Sequence, residues 1–147
     1  MRHTFAGSLT ASGLLAAALL LSAPPARADG SHHSKPCSNR TLQGTFGFYR
    51  TGTVDEGAGG LAAVGWLSFD GNGNGSVLQS ISRNGDYSYD VSGDFTYQLD
   101  GDCTGKGFLD GEEFVRIVVT HDGGTLYMLS ESTGNAVHGV GTKIHND

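Results

Sequence analysis

From Thr41 onward, apolar and polar residues alternate with a period of two in eight successive segments. In the first, Leu42, Gly44, Phe46 and Phe48 share one side, with Gln43, Thr45 and Tyr49 on the other. In the fourth, Val91, Gly93, Phe95, Tyr97 and Leu99 oppose Ser92, Asp94, Thr96 and Gln98. A strand turns successive side chains to opposite faces, so each such run predicts one dry and one wet face. With β-branched and aromatic enrichment as the second signal, the predicted strands are Leu42–Thr51, Leu61–Asp70, Ser76–Arg83, Tyr89–Leu99, Thr104–Leu109, Glu113–His121, Thr125–Glu131 and Ala136–Ile144. No segment reads convincingly as a helix. The sixth strand is less clean: Val115, Ile117 and Val119 oppose Phe114, Arg116 and Val118, so both faces carry apolar groups. That pattern predicts a cover over its outer face, from the N-terminal segment or a second subunit, and it leaves dimerisation open.

Glycine-rich turns punctuate the strands: Asp70–Gly75, Arg83–Asp86, Asp100–Asp102, Asp110–Glu112, Asp122–Gly124 and Ser132–Asn135. Asn-Gly and Asp-Gly pairs accept positive φ cheaply and suit the tight primed turns of hairpins. Residues 52–60 are the one connection that reads as long and flexible. Eight meandering strands in an open sheet would leave two edges free to pair with other chains. Closure removes them, and the predicted fold is all-β, a closed eight-stranded antiparallel up-and-down barrel. Its interior is either filled by side chains or holds one small ligand. Glycines within strands, such as Gly65, Gly93 and Gly139, fit the strong coiling of a small barrel. A two-sheet sandwich is the alternative, but it needs long crossover connections that the sequence lacks.

The N-terminus reads differently. Arg2 and His3 precede the apolar run Leu14–Leu21, Pro24-Pro25 follows, and Ala26-Arg27-Ala28 places small residues at the −3 and −1 positions of a cleavage site. This predicts a secretory signal peptide over residues 1–28, too short for a membrane span. A flexible polar tail over 29–36 and one barrel domain over 37–147 would follow. The expected location is therefore outside the cytoplasm, either secreted or periplasmic, and the protein is not expected to be an integral membrane protein. Without Arg2 and Arg27, seven basic residues face 15 acidic ones, a formal charge of −8. Such acidity argues against nucleic-acid binding and favours solubility. Two cysteines in an oxidising compartment predict one disulfide, Cys37–Cys103. It would close a loop of about 65 residues and add roughly 4 kcal/mol on the chain-entropy model.

Candidate chemistry is sparse. Asp70-Gly-Asn72-Gly-Asn74-Gly75 copies the first half of a calcium loop, but the position of the closing bidentate Glu holds Ile81, so a hairpin turn is the better reading. His32 and His33 in the tail would hold Cu(II) or Ni(II) only if cleavage one residue later left Gly30-Ser31-His32 as the N-terminus, which the small-residue rule disfavours, and no pair among His121, His138 and His145 has ligand spacing on one element. No metal site and no cofactor is therefore expected. No nucleophile elbow, phosphate loop or zinc-protease motif occurs. Arg50, Arg116, Glu131 and His138 are the ionisable residues embedded among apolar strand positions. If two or more faced inward, they would be the convergent polar groups of an apolar pocket. Arg116 and His138, with Trp66 and Tyr127 as lining, are the expected ligand-binding residues. The competing reading turns Arg116 and His138 outward.

The string Cys37-Ser-Asn-Arg-Thr-Leu-Gln-Gly-Thr-Phe-Gly-Phe48, with Ala62-Ala-Val-Gly65, Phe69-Asp-Gly-Asn-Gly-Asn74 and Asp102-Cys-Thr-Gly105, resembles a group of small exported bacterial proteins. That group is similar to the calycin barrels, in particular the allene oxide cyclase-like and lipocalin-like ones. The resemblance covers nearly all of residues 37–143 and implies a barrel that either binds an apolar molecule or guides a cyclisation. No cyclase catalytic motif is present, so no site residue is carried over from it. The expected function is a binding module for a small, largely apolar molecule. A cofactor-free cyclase or isomerase using the same cavity is the enzymatic alternative. The third reading is a surface or interaction protein with a filled barrel and an exposed apolar patch around Val115, Ile117 and Val119.

Overall fold

A computed structural model describes residues 35–145. The expected signal peptide, most of the tail, and His32 and His33 lie outside them. Eight strands run β1 Gly44–Val54, β2 Gly59–Phe69, β3 Asn74–Arg83, β4 Asp86–Leu99, β5 Thr104–Leu109, β6 Glu112–Val119, β7 Thr125–Ser130 and β8 Ala136–His145. Each pairs antiparallel with its neighbours in sequence, and β1 pairs with β8 to close the barrel. The hairpins form as the turn chemistry predicts. Asn84-Gly85 has φ of 55° and 91°, and Asp110-Gly111 has 52° and 85°, the positive pair that a primed turn requires. Among the described residues no helix is long and apolar enough to cross a membrane.

Alternation fixes the faces. Phe46 and Phe48 of β1 point inward with Leu67 and Phe69 of β2, Tyr97 and Leu99 of β4, Ile117 and Val119 of β6 and Leu126 of β7, forming one core cluster. Phe69 sits at its centre, edge-on to Phe46, Phe95 and Tyr97 at centroid distances of 5.4, 5.6 and 5.1 Å. This is the geometry in which aromatic edges meet ring faces.

One end of the barrel is plugged. A 3-10 turn over Asn39–Leu42, which alternation alone does not reveal, drops Leu42 into the core with no solvent exposure. Asn39 fastens it: its carbonyl accepts from the Tyr97 hydroxyl at 3.0 Å, and its Oδ1 accepts from the Leu99 N–H at 2.8 Å. Cys37 bonds to Cys103, and its N–H donates to the Gly101 carbonyl at 3.1 Å. Gly123, at φ 66°, passes so close to the Thr41 carbonyl that a Cβ there would collide with it.

Three expectations are corrected. Residues 52–60 do not form a long connection, because β1 continues to Val54 and β2 begins at Gly59. Asp55 between them takes an ion pair from Arg83 at 2.7 Å and donates its N–H to Asn135 Oδ1, while Gly60 donates to Asn84 Oδ1 at 2.9 Å. These long-range partners order a segment whose local composition predicts flexibility. Second, the one-dry-face pattern of β4 holds only toward its end. Asp86–Asp94 is exposed on both faces, because β5 pairs with Thr96–Leu99 alone. The unpaired edge carries Asp86, Asp90 and Asp94, with a bulge near Asp90 (φ 53°), features that discourage strand addition. Third, β6 needs no cover to explain Phe114. The register shifts at Gly107/Phe108, and this bulge lets Phe114 meet Phe95 at 6.4 Å rather than stand outward beside Arg116.

Candidate functional site

Beyond the core cluster, the interior holds a cavity of about 230 Å³. Phe48, Val77, Phe95, Phe114, Val115 and Met128 supply much of its apolar wall. Gly93 borders it at the place where β4 parts from β5, and a Cβ on Gly93 would meet only Val77 at 3.9 Å. The missing side chain there is therefore space rather than a packing requirement.

The polar side chains on its lining include Arg50, Gln79, Asp94, Ser130 and His138, of which the first two are distinctive. Arg50 follows Phe46 and Phe48 on the inward face of β1, opposite Ala63 of β2 and Gly139 of β8. Its side chain lies against the bare backbone of Gly139, where a Cβ would come within 2.8 Å of Arg50 Cβ. Gln79 of β3 stands opposite Gly65 in the same way, at 2.9 Å. Arg50 Nε and Gln79 Oε1 are both buried without a hydrogen-bond partner, and no carboxylate pairs with Arg50 among the described residues. Burial pushes the guanidinium pKa down, yet an arginine stays charged at neutral pH. The site is thus a largely apolar chamber that holds an arginine with no ion-pair partner among the described residues and an amide with an unpartnered Oε1, and the Asp94 carboxylate also stands on its lining.

Three of the four residues expected to line the cavity are placed otherwise. The register sets Trp66 opposite Gly47, Tyr127 opposite Val118, and Arg116 opposite Leu129, all on the outer face. Those three do not border the cavity, because they alternate with the inward positions Leu67, Leu126 and Ile117. Arg116 is spoken for, with Nε 2.6 Å from Glu113 and 3.1 Å from Glu131. Lys106 reaches Glu113 at 2.9 Å and, with Arg116, holds its carboxyl below the usual range. His138 borders the cavity while remaining exposed. Of the four embedded ionisable residues, Arg50 alone follows the inward alternation, and the signal that finds it is its even spacing from Phe46 and Phe48.

The apolar patch also moves. Ile117 and Val119 are 5% and 3% exposed and belong to the core, with Val115 packed against them. On the outside, the cross-strand pairs Val64–Tyr49, Tyr49–Val140, Val140–Tyr127 and Tyr127–Val118 join into one row across five strands. Ile144 lies over Gly47 beside this row. Of the five strands in the row, β1, β2, β7 and β8 carry no carboxylate, while β6 brings Glu112 and Glu113.

The remaining candidates are internally satisfied. Asp70 Oδ1 accepts from the Asn72 and Asn74 N–H groups at 2.7 and 2.9 Å, and its Oδ2 accepts from the Asn74 amide at 2.8 Å. The Asn74 amide and these N–H groups depress its pKa, and the loop is a hairpin turn closed on itself. His121 Nδ1 lies 3.0 Å from Cys103 Sγ, but both sulfurs of the trio Cys37, Cys103 and His121 are committed to the disulfide. Comparison of the chain with protein-family models, curated proteins and solved structures gives no match.

Proposed function

We propose that this barrel is a binding module that takes a small, largely apolar molecule into its interior. The carrying observation is the chamber of about 230 Å³, walled by aromatic and aliphatic side chains with a few polar groups at its rim. Concave, mostly apolar sites with sparse polar groups are the usual form of small-molecule pockets. The test is native mass spectrometry of the protein purified from its producing cells. A stoichiometric adduct, lost on denaturation and absent from a Gly93→Leu variant, is the expected result. A bare wild-type chain that also excludes an apolar fluorophore would sink the reading.

A second reading, an interaction protein, is favoured by the outer row through Tyr49, Val140 and Tyr127. Exposed apolar groups gathered on one face mark contact surfaces. The matching occupant is a second copy of this chain, since the row carries no charge for an oppositely charged partner to recognise. Light scattering across a hundredfold concentration range decides it, and a monomer throughout removes the second reading without touching the first.

A further inference from the structure

We infer that the molecule taken by the cavity is an amphipathic monoanion: a compact apolar body bearing one carboxylate, which Arg50 receives. This rests on the cavity reading and adds the chemistry of the head group.

The argument starts from cost. A charge removed from water is tolerated when it is paired and hydrogen-bonded, and an unpaired one weakens the fold. Arg50 is a half-buried charge whose Nε is fully buried, with no partner among the described residues and a pKa lowered by desolvation. The sequence offers 15 carboxylates, and none stands on the strands flanking Arg50; Asp94 borders the same chamber from β4, and among the described residues it forms no ion pair with Arg50. β1, β2 and β8 instead set Ala63 and Gly139 opposite it, residues too small to compete for the guanidinium. Arg116 on the outside shows the contrast, because this fold supplies it with two acidic partners. The inward arginine thus has its counter-ion position open toward the chamber.

A guanidinium presents a planar fork of donors that matches a carboxylate in two parallel hydrogen bonds. Gln79 is the second unpartnered group on the same wall, and its amide can turn to offer either its oxygen or its NH₂. With the NH₂ turned inward it donates to a carboxylate oxygen, and with the oxygen inward it accepts from a hydroxyl on the body. Size follows from the volume. An apolar cavity of about 150 Å³ holds benzene, so by proportion about 230 Å³ holds roughly nine non-hydrogen atoms. That excludes long-chain lipids as fully enclosed ligands and fits a medium-chain or single-ring acid.

The experiment is calorimetric titration of the whole protein, stripped of any carried adduct, with three probes of one body and different heads: octanoate, 1-octanol and octylammonium. Wild type is expected to bind octanoate at least tenfold more tightly than octanol and to reject octylammonium. Arg50→Met should bring octanoate down to the level of octanol while leaving octanol binding unchanged. The retained octanol binding shows that the variant is folded and its cavity intact. If that variant fails to fold, Arg50→Lys replaces it, with a several-fold loss for octanoate only. Gly93→Leu should abolish all binding. Equal affinity of wild type for octanoate and octanol overturns the carboxylate inference and leaves the cavity reading standing. Binding of none of the three probes overturns both.

Discussion

The two ends of the barrel are built on opposite principles. At the end carrying the 3-10 plug, Leu42, Phe46 and Leu126 are fully buried beside the disulfide, and Asn39 satisfies both the Tyr97 hydroxyl and the Leu99 N–H. At the end carrying Arg50 and Gln79, a cavity remains, two polar groups lack partners, and β4 runs past its neighbour as a single-edged overhang. The same β1 contributes to both, with Phe46 fully buried at one end and Arg50 unpaired only four residues on. One end invests in stability. The other gives up some stability for a chamber, the pattern expected where a binding site is preorganised.

This contrast can be broken most sharply at the disulfide. Replacing Cys37 and Cys103 by Ser should cost roughly 4 kcal/mol in denaturant unfolding, from the entropy of a loop with sequence separation 66. A loss below about 1 kcal/mol would mean that the plug is held by its hydrogen bonds instead. Leu42→Ala comes next, at about 3 kcal/mol, the ordinary cost of a cavity at a fully buried leucine. The open end should respond with the opposite sign. Arg50→Met, measured on ligand-free protein, should raise stability by about 1 kcal/mol, because it removes a half-buried, unpaired charge without orphaning a partner. A fall in the denaturation midpoint would make Arg50 a structural residue and erase the distinction between the ends.

The smallest effect is acid sensitivity. Asp70, Asp102 and Asp122 have folded-state pKa values lowered chiefly by the hydrogen bonds of their own turns, from Asn74, Thr104 and Thr120 respectively. A lowered carboxyl pKa contributes stability that is fully present above the unfolded value and is lost as pH falls through the folded one. Thermal stability should therefore stay level from neutrality to about pH 5 and decline below about pH 4. Asp70→Asn should make that decline shallower, and a decline unchanged in Asp70→Asn would place the acid sensitivity elsewhere.

Much of this fold was legible beforehand because the signals are local. The period-two runs set the strands, and Asn84-Gly85 and Asp110-Gly111 set two hairpins, within a few residues of their observed bounds. The 3-10 plug is not legible in the sequence because Asn39–Leu42 carries no periodic signal, and its purpose appears only against Tyr97 and Leu99. The order in residues 52–60 depends on Arg83, Asn84 and Asn135, far away along the chain. The site was half legible. Alternation from Phe46 and Phe48 carries Arg50 inward, whereas Trp66, Arg116 and Tyr127 attracted attention by residue type while the phase of their own strands turned them outward.

The sequence by itself determined strand count, turn positions and the closed antiparallel order, since hydrophobic period and turn chemistry act over a few residues. It also determined which two cysteines were available to bond. Tertiary structure alone decided where β4 loses its neighbour, which bulge turns Phe114 toward Phe95, and that Arg116 finds acids while Arg50 finds none. Those outcomes depend on register and closure, which bring together groups from strands far apart in sequence, and a one-residue shift in register turns a side chain to the other face.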